Sequence, residues 1–485
     1  MTIDERPTAT PELPFDPDTL RERYRRERDK RMRADGNEQY IEIAGSYARY
    51  LDDPYVERVE REPLHDEVTV ALIGGGFAGL NAAKGLGGAR GIDVTLVDRS
   101  NHHLFQPLLY QVAMAGLSPA DIAAPIRSLL SSYPNIRVLQ GEILSLDLDR
   151  KMAVADFGEL PFDYLIVACG ARHSYFGHDE WEEYAPGLKN LQQATEIRRR
   201  VLSAYEEAER SGSLDDRKRL MTFVIVGGGP TGVELAGAIG EMSRFTLARD
   251  FRNIDAKQAR VILLEAGPRI LLMFSEPQAA RATRDLEHLG VHVWTQSAVT
   301  KIDADGVEIA TERIRAATVL WAAGVQASPL GLAAGLEVDR QGRVLVEPDL
   351  SVKGRLNVFV AGDQACFMHQ TGKPLPGTAP VAMQQGRYLA FTIRRELAGK
   401  PRLPFRFVDK GQMATIGRSR AIVEIGRLRL AGFPAWLLWL VVHIYYLTGF
   451  KNRLLVVLQW AWSYLSFRRG ARLIVNKEWR FHAPK

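Results

Sequence analysis

Two glycine triplets carry the clearest chemistry in this chain. Gly74, Gly76 and Gly79 form G-x-G-x-x-G within VTVALIGGGFAGL (68–80), and Gly227, Gly229 and Gly232 repeat the spacing 153 residues later within LMTFVIVGGGPTG (220–232). Each triplet follows an apolar, β-branched run that reads as a buried strand. The first glycine permits a tight turn. The second lets backbone approach a pyrophosphate, and the third lets the next helix pack close to the strand. That helix then aims free N–H groups and its positive dipole end at the phosphates. An acid at the end of the following strand completes such a site by accepting hydrogen bonds from a ribose. Asp98 ends the strand 92–97 and lies 24 residues after Gly74. Glu265 ends the strand 260–264 and lies 38 residues after Gly227, so the helix and loop between them are extended. A carboxylate there bonds a free 2′-hydroxyl and repels a 2′-phosphate, which favours NADH over NADPH.

Other elements repeat as well. FDYLIVACG (162–170) and TVLWAAG (318–324) are each a buried strand ending in small residues and glycine. Two copies of strand, glycine loop and helix, each followed by strand, small residues and glycine, imply two dinucleotide-binding domains. LNVFVAGD (356–363) is a further buried strand ending in Asp363. That acid suits either a polyol partner or a helix N-cap. The segment 99–119 is a partly apolar loop broken by Pro107 and Pro119, and loops after the carboxyl ends of parallel strands carry ligands. His102 and His103 are adjacent within it and so do not face one metal together. An amphipathic helix is expected over 192–210, and 217–219 closes a charged linker.

Composition bounds the rest. At 485 residues, 46% hydrophobic and 25% charged, the chain is globular and has room for several domains. Two cysteines, Cys169 and Cys366, without C-x-x-C, support neither a disulfide framework nor a zinc site. The first residues are polar and hold no apolar run, so a secretory signal is not expected. Residues 1–66 are dense in charge, and 20–33 reads as a solvated helix. The stretch 29–55 also resembles extensions that precede the flavin domain in some Baeyer–Villiger monooxygenases, but the fingerprint of that family is absent: Phe176, Gly177, His178 and Trp181 do not fit its spacing. The net charge of +5 is uneven. Residues 426–485 hold ten Lys/Arg and one acid, Glu478, a local +9 that leaves −4 for the remainder. The run 430–450 contains no Lys, Arg, Asp or Glu, and 454–467 is a second, shorter apolar run. Five of the eight tryptophans lie in the last 50 residues. Gly432 and Pro434 shorten the first helix, and the second run is too short to return across a bilayer. Two helices lying in the surface of one anionic leaflet are therefore expected in preference to a spanning hairpin; a dimer interface is the competing reading.

With these residues in view, the chain resembles the type II NADH:quinone oxidoreductases, single-subunit flavoproteins of respiratory membranes. The likeness spans about residues 67–475 and rests on IGGGFAGL, NHHLFQPLLYQVA, VGGGPTGVELAG, LWAAGV, FVAGD, VAMQQG, DKGQMATIGR and GFKNRL, in that order. The resemblance implies an α/β fold of two interleaved, three-layer Rossmann-like dinucleotide-binding domains with C-terminal membrane-associating helices. Domain bounds follow as 1–66 (extension), 67–185 with 325–405 (FAD), 186–324 (NADH) and 406–485 (membrane-associating). FAD would be held by Gly74, Gly76, Gly79, Asp98, Gln106, Pro107, Ala168, Gly170, Gly362 and Asp363. NADH would be held by Gly227, Gly229, Gly232, Glu265 and Gly324. Glu234 and Gln384 would be catalytic, Gln384 and Gln385 would contact quinone, and no metal is implied.

Further expectations are a homodimer bound peripherally to the cytoplasmic face of the cell membrane, with lipid and quinone as partners and no nucleic acid. Nothing resembles a proton channel, so electron transfer without proton pumping is expected. Pro380 stands where the family often has a quinone-contacting glutamine, and Cys169 where it usually has threonine. Two rivals remain. A sulfide:quinone reductase of the same superfamily would use Cys169 and Cys366. A membrane-docked sensor would bind NADH without turnover.

Overall fold

The computed structural model describes residues 16–31, 67–310, 312–466 and 470–475. The chain forms two units, 1–65 and 66–485. In the first, the described residues make one helix, Pro17–Arg31, exposed over 18–30. Asp16 starts it by accepting the backbone N–H groups of Asp18 and Thr19 at 3.1 and 3.3 Å. The solvated helix expected at 20–33 is thus present and begins a turn earlier; its last two residues lie outside the described set.

The second unit contains two parallel sheets built alike. One has the strand order Ser351–Val352, Arg355–Val360, Tyr164–Val167, Val68–Ile73, Ile92–Asp98, Ile136–Gln140. All its neighbours are parallel except the first pair. The other runs Val291–Trp294, Arg260–Leu264, Thr222–Val226, Thr318–Trp321, all parallel. In each sheet the strand leading into a glycine triplet is flanked on both sides, so the triplet opens at the carboxyl end of the sheet's interior.

Three layers follow from the period-two alternation of a strand. In the second sheet Phe223, Ile225, Val261 and Leu263 pack toward helices, in a core that includes Val233, Leu235 and Ile239. Their neighbours Val224, Val226, Ile262 and Leu264 pack on the opposite face against Ile302, Val307, Ile309 and Ile314 of an antiparallel three-stranded layer. A matching antiparallel layer, Ile143–Asp147, Met152–Ala155 and Gly158–Pro161, accompanies the first sheet. Helix Ala379–Leu397 crosses helix Phe77–Leu86 closely. A Cβ on Gly386 would collide with the Ala78 carbonyl, which is why the last glycine of VAMQQG must be glycine. Pro380 lies in the first turn of this helix, where its missing N–H costs no helical bond.

The chain passes between the sheets along a two-stranded antiparallel ribbon, Ala171–His173 with Val325–Ala327. The sheet holding the second glycine triplet and its antiparallel layer lie between those strands in sequence. The first sheet is completed after them, by Arg355–Val360, so the two sheets interleave along the chain.

The C-terminal region starts with a three-stranded antiparallel sheet, Gln412–Thr415, Ala421–Ile425 and Leu428–Gly432. The apolar run 430–450 is therefore not one helix. Its first residues are strand, Gly432 turns at φ +73°, and the helix is Phe433–Tyr446. A second helix, Phe450–Ser466, follows. Among the described residues no helix is long and apolar enough to cross a membrane.

Candidate functional site

The two glycine loops are superimposable in their bonding. Gly74 and Gly227 adopt φ +102° and +108°, conformations that glycine takes without steric cost. A Cβ on Gly79 would strike the Gly74 carbonyl, and one on Gly232 would strike the Gly227 carbonyl. Gly76 and Gly229 differ: a Cβ on either would meet nothing within 4 Å. Protein packing does not require glycine there. The open space above these backbones is what a pyrophosphate needs, so both cradles fit a dinucleotide.

The acids complete the likeness. Asp98 Oδ2 accepts the Gly75 N–H and Oδ1 the Ser100 N–H, both at 2.6 Å. Glu265 Oε2 accepts the Gly228 N–H and Oε1 the Gly267 N–H, again both at 2.6 Å. In each site the carboxylate ties the loop to the residue two places after itself. Each oxygen keeps acceptor capacity for a ribose hydroxyl.

A cleft of about 120 Å³ lies where the two halves meet. It is lined by Gln106, Leu109 and Tyr110, by His173, Leu188 and Lys189, by Thr231 and Glu234, and by Trp321, Ala322, Gly324 and Val325. Glu234 comes from the first turns of helix Pro230–Glu241, directly after the second cradle. Burial pushes its carboxyl up to about 8, against the smaller opposing effect of the Thr415 backbone N–H. Glu234 therefore carries a proton at pH 7. Gln106 donates to the Lys189 carbonyl at 3.2 Å, and Pro107 sits inside the short 3₁₀ turn Gln106–Leu108. Ala168 is buried, with its carbonyl against Gly74, and Gly170 has φ +71° with open space beside it. Gly324 packs under Ser174 and Phe176.

Asp363 lies in the 3₁₀ turn Gly362–Gln364 and caps no helix, which removes the N-cap reading. Its Oδ2 is 3.9 Å from Lys189 Nζ. Gln385 is 1% exposed, and its Oε1 accepts the Gly362 N–H at 2.7 Å. Gln384 uses both ends of its amide on Val408: Nε2 donates to the carbonyl and Oε1 accepts the N–H, each at 3.0 Å. Both side chains are thus engaged with backbone, one fixing the Asp363 turn and the other holding the segment around Val408.

His102 and His103 face different partners. His102 Nδ1 lies 3.0 Å from Asn101 Oδ1, and His103 Nδ1 donates to the Gly75 carbonyl at 2.9 Å. Burial pushes His103 down to about 4, so it is neutral and braces the first cradle. Sequence reasoning missed this role, and also that of Arg198. Arg198 donates to the carbonyls of Val112 and Leu117 at 2.8 and 3.0 Å and so pins the loop beside the cleft. A signal existed: Arg198 falls within the buried helical stripe Ala194, Ile197, Val201, Leu202 and Tyr205. Burial pushes the Cys169 thiol up to about 12 and raises that of Cys366, so neither is a thiolate at neutral pH. This removes the support those residues lent to sulfide chemistry.

Paired dinucleotide cradles on interleaved sheets, with Glu234 in a cleft beside the second, are the arrangement of a reductase that uses two dinucleotides. Accordingly, the family model for pyridine nucleotide-disulphide oxidoreductases matches residues 68–386, and that for the NDH2 C-terminal domain matches 410–469. The chain belongs to the type II NADH:quinone oxidoreductase family. It is 45% identical over 425 residues to a member from Mycobacterium tuberculosis, covering 84% of this chain and 90% of that one. It is 29% identical over 421 residues to a probable NADH dehydrogenase of Dictyostelium discoideum, covering 84% and 92%. Among solved structures, NDH2 from Plasmodium falciparum in complex with NADH matches with a TM-score of 0.77 at 20% identity, over 84% of this chain and 100% of that one. The sulfide:quinone oxidoreductase of Aquifex aeolicus shares the fold, with a TM-score of 0.65 at 18% identity over 80% and 91%.

Proposed function

We propose that FAD occupies the first cradle, that NADH occupies the second, and that both reach the cleft lined by Glu234. The protein oxidises NADH and reduces a quinone. Bound FAD supplies a ring that accepts a hydride equivalent from NADH and yields two electrons to quinone. The protein binds, orients and supplies charge. In this reading Gly76 and Gly229 admit the two pyrophosphates, Asp98 and Glu265 hold the adenosine riboses, and Asp363 holds the flavin's polyol chain. Glu265 selects NADH by repelling a 2′-phosphate. Glu234, protonated near neutral pH, offers a proton beside the site where quinone takes up two. Gln384 and Gln385 shape the quinone end through Val408 and Gly362. The single observation carrying this reading is the matched pair of open cradles leading to one cleft.

The membrane part of the proposal rests on exposed apolar stripes. Phe433, Leu437, Val441 and Tyr445 recur every four residues along one helix face, each at least 48% exposed. Leu454, Leu458 and Trp462 do the same on the next helix. With Lys451 and Arg453 nearby in sequence, this pattern suits helices lying in an anionic leaflet at the cytoplasmic face, from which a lipid-soluble quinone enters. A homodimer and transfer without proton pumping complete the reading. Anaerobic stopped-flow mixing tests the core of it. NADH should bleach the flavin, and quinone should restore its colour in a second mixing. A flavin that NADH leaves oxidised would refute it.

A further inference from the structure

The cleft contains a charge that the reading above leaves without a task. Among the residues lining it, Lys189 is the sole lysine or arginine. His173 is held below its ordinary value by burial and so is neutral at pH 7. Glu234, protonated there, adds no charge either. The remaining lining groups are uncharged, so Lys189 is the one cation among them, with the Asp363 carboxylate 3.9 Å away as its counter-charge.

Its position is built. The Lys189 N–H donates to Gln193 Oε1 at 2.8 Å, and its carbonyl accepts from Gln106 at 3.2 Å. Gln193 Oε1 also lies 3.1 Å from His173 Nε2, which must then be the protonated ring nitrogen. Asn190, the next residue, caps helix Leu191–Arg210 by accepting the Gln193 N–H at 2.8 Å. The backbone on both sides of the lysine is therefore fixed. The side chain reaches to 3.9 Å from Asp363 Oδ2, and both side chains are only 23% exposed. A lysine alone on an exposed loop would keep its head group in water. Here it is directed inward, across to the turn that follows strand Arg355–Val360. At 3.9 Å the Asp363 carboxylate offsets part of the ammonium's field without a close contact, and the ammonium's N–H groups stay open to a second anionic partner.

We propose that Lys189 stabilises the negative charge placed in this cleft when the bound flavin is reduced, and so sets the flavin's midpoint potential. The inference rests on FAD occupying the first cradle. NADH gives up one hydride, which is two electrons and one proton together, and leaves as a cation. Bound FAD would take up that hydride and with it one unit of negative charge, beside the Lys189 ammonium. Quinone would later take two electrons and one proton from the reduced flavin and a second proton from Glu234 or water, and the ring would return to neutral. A fixed cation favours the reduced ring and disfavours the nicotinamide cation beside it, so it drives both hydride acceptance and release of NAD⁺.

The test compares wild type with Lys189→Met, Lys189→Gln and Lys189→Arg. FAD content is read from absorbance, and midpoint potential from anaerobic equilibration with reference dyes at pH 7. Met and Gln should keep FAD while the reduced-to-oxidised ratio falls about tenfold at fixed potential, which for a two-electron couple is about 30 mV. Arg should restore the wild-type ratio. A potential unchanged in both neutral variants overturns the proposal. So does loss of FAD from both, which makes Lys189 a residue that holds the cofactor. Absence of FAD from wild-type protein purified with the cofactor supplied would instead overturn the cofactor reading.

Discussion

Replacing Glu234 with glutamine tests the cleft most directly, because its effect on stability has a definite sign. A carboxyl raised to about 8 in the folded chain compares with about 4.3 in an unfolded one. Between those values the folded state keeps a proton that the unfolded state has released. Stability contributed by this group is therefore whole below about pH 4.3 and falls steadily until about pH 8, by about 1.4 kcal/mol per pH unit. At pH 7 the accumulated loss is about 3.7 kcal/mol, and at pH 5 about 1 kcal/mol. Glutamine is neutral throughout, and its oxygen can still accept the Thr415 N–H. The variant should therefore be more stable than wild type, increasingly so toward pH 8. For a folding unit of this size the unfolding entropy is on the order of 0.9 kcal/mol per degree, so the difference in Tm should be about 1 °C at pH 5 and about 4 °C at pH 7. His103 and His443, both pushed down to about 4, act in the opposite direction between pH 4 and 6.5. They are common to both proteins and cancel in the difference. Calorimetry from pH 5 to 9 on FAD-loaded protein is the assay. Parallel Tm curves would mean that Glu234 is ionised at neutral pH, and its role as a proton source would fall with that result.

Three further outcomes follow from named geometry. Gly76 has φ −69° and ψ −163°, open to any residue, and no protein atom lies near its missing Cβ, so Gly76→Val should fold normally yet purify without flavin; a full flavin spectrum would place FAD elsewhere. Glu265→Gln should raise kcat/KM for NADPH on the order of tenfold by removing like-charge repulsion, and unchanged discrimination would take specificity away from Glu265. Leu437→Asp with Val441→Asp should leave the fold and NADH-driven bleaching intact but weaken binding to anionic vesicles by tenfold or more, since each buried apolar side chain contributes about 1.5–3 kcal/mol; unaltered vesicle binding would turn this face over to the dimer reading.

The legible parts of the sequence were those whose reasons are local. A glycine triplet after a β-branched run, or alternation along a strand, is decided within a dozen residues, so both sheets and both cradles could be read. The acids were legible because strand ends are. What escaped depends on partners remote in sequence. Gln385 binds Gly362, Gln384 binds Val408, and Gly386 is set by Ala78. A motif that resembles a quinone site thus has side chains committed to backbone, a commitment no spacing rule contains. His103 was considered only as a metal ligand and set aside, whereas its buried position against Gly75 makes it a brace.

The C-terminal run shows the same limit with a larger consequence. Hydropathy identifies 430–450 as one apolar block, and a block of that kind invites the idea of a detachable anchor. Folding divides it. One face of helix Phe433–Tyr446 is exposed, but Ala435, Trp439 and His443 face inward and are buried. Trp439, Leu447 and Val456 share a core with Ile239 and Val233 behind the second cradle. The contacts also reach the first cradle: Trp460 donates to Gln111 at 2.7 Å, Trp439 stacks on His443 at 4.2 Å, His443 meets Phe105, Phe105 meets Phe77, and Phe77 meets His103, which bonds Gly75. The surface read as membrane-facing and the loop read as flavin-holding are thus opposite ends of one packed aromatic chain. Cutting the helices away would expose that core, so the proposed membrane docking is separable from the proposed redox site only by changing the outward stripe and leaving the inward one in place.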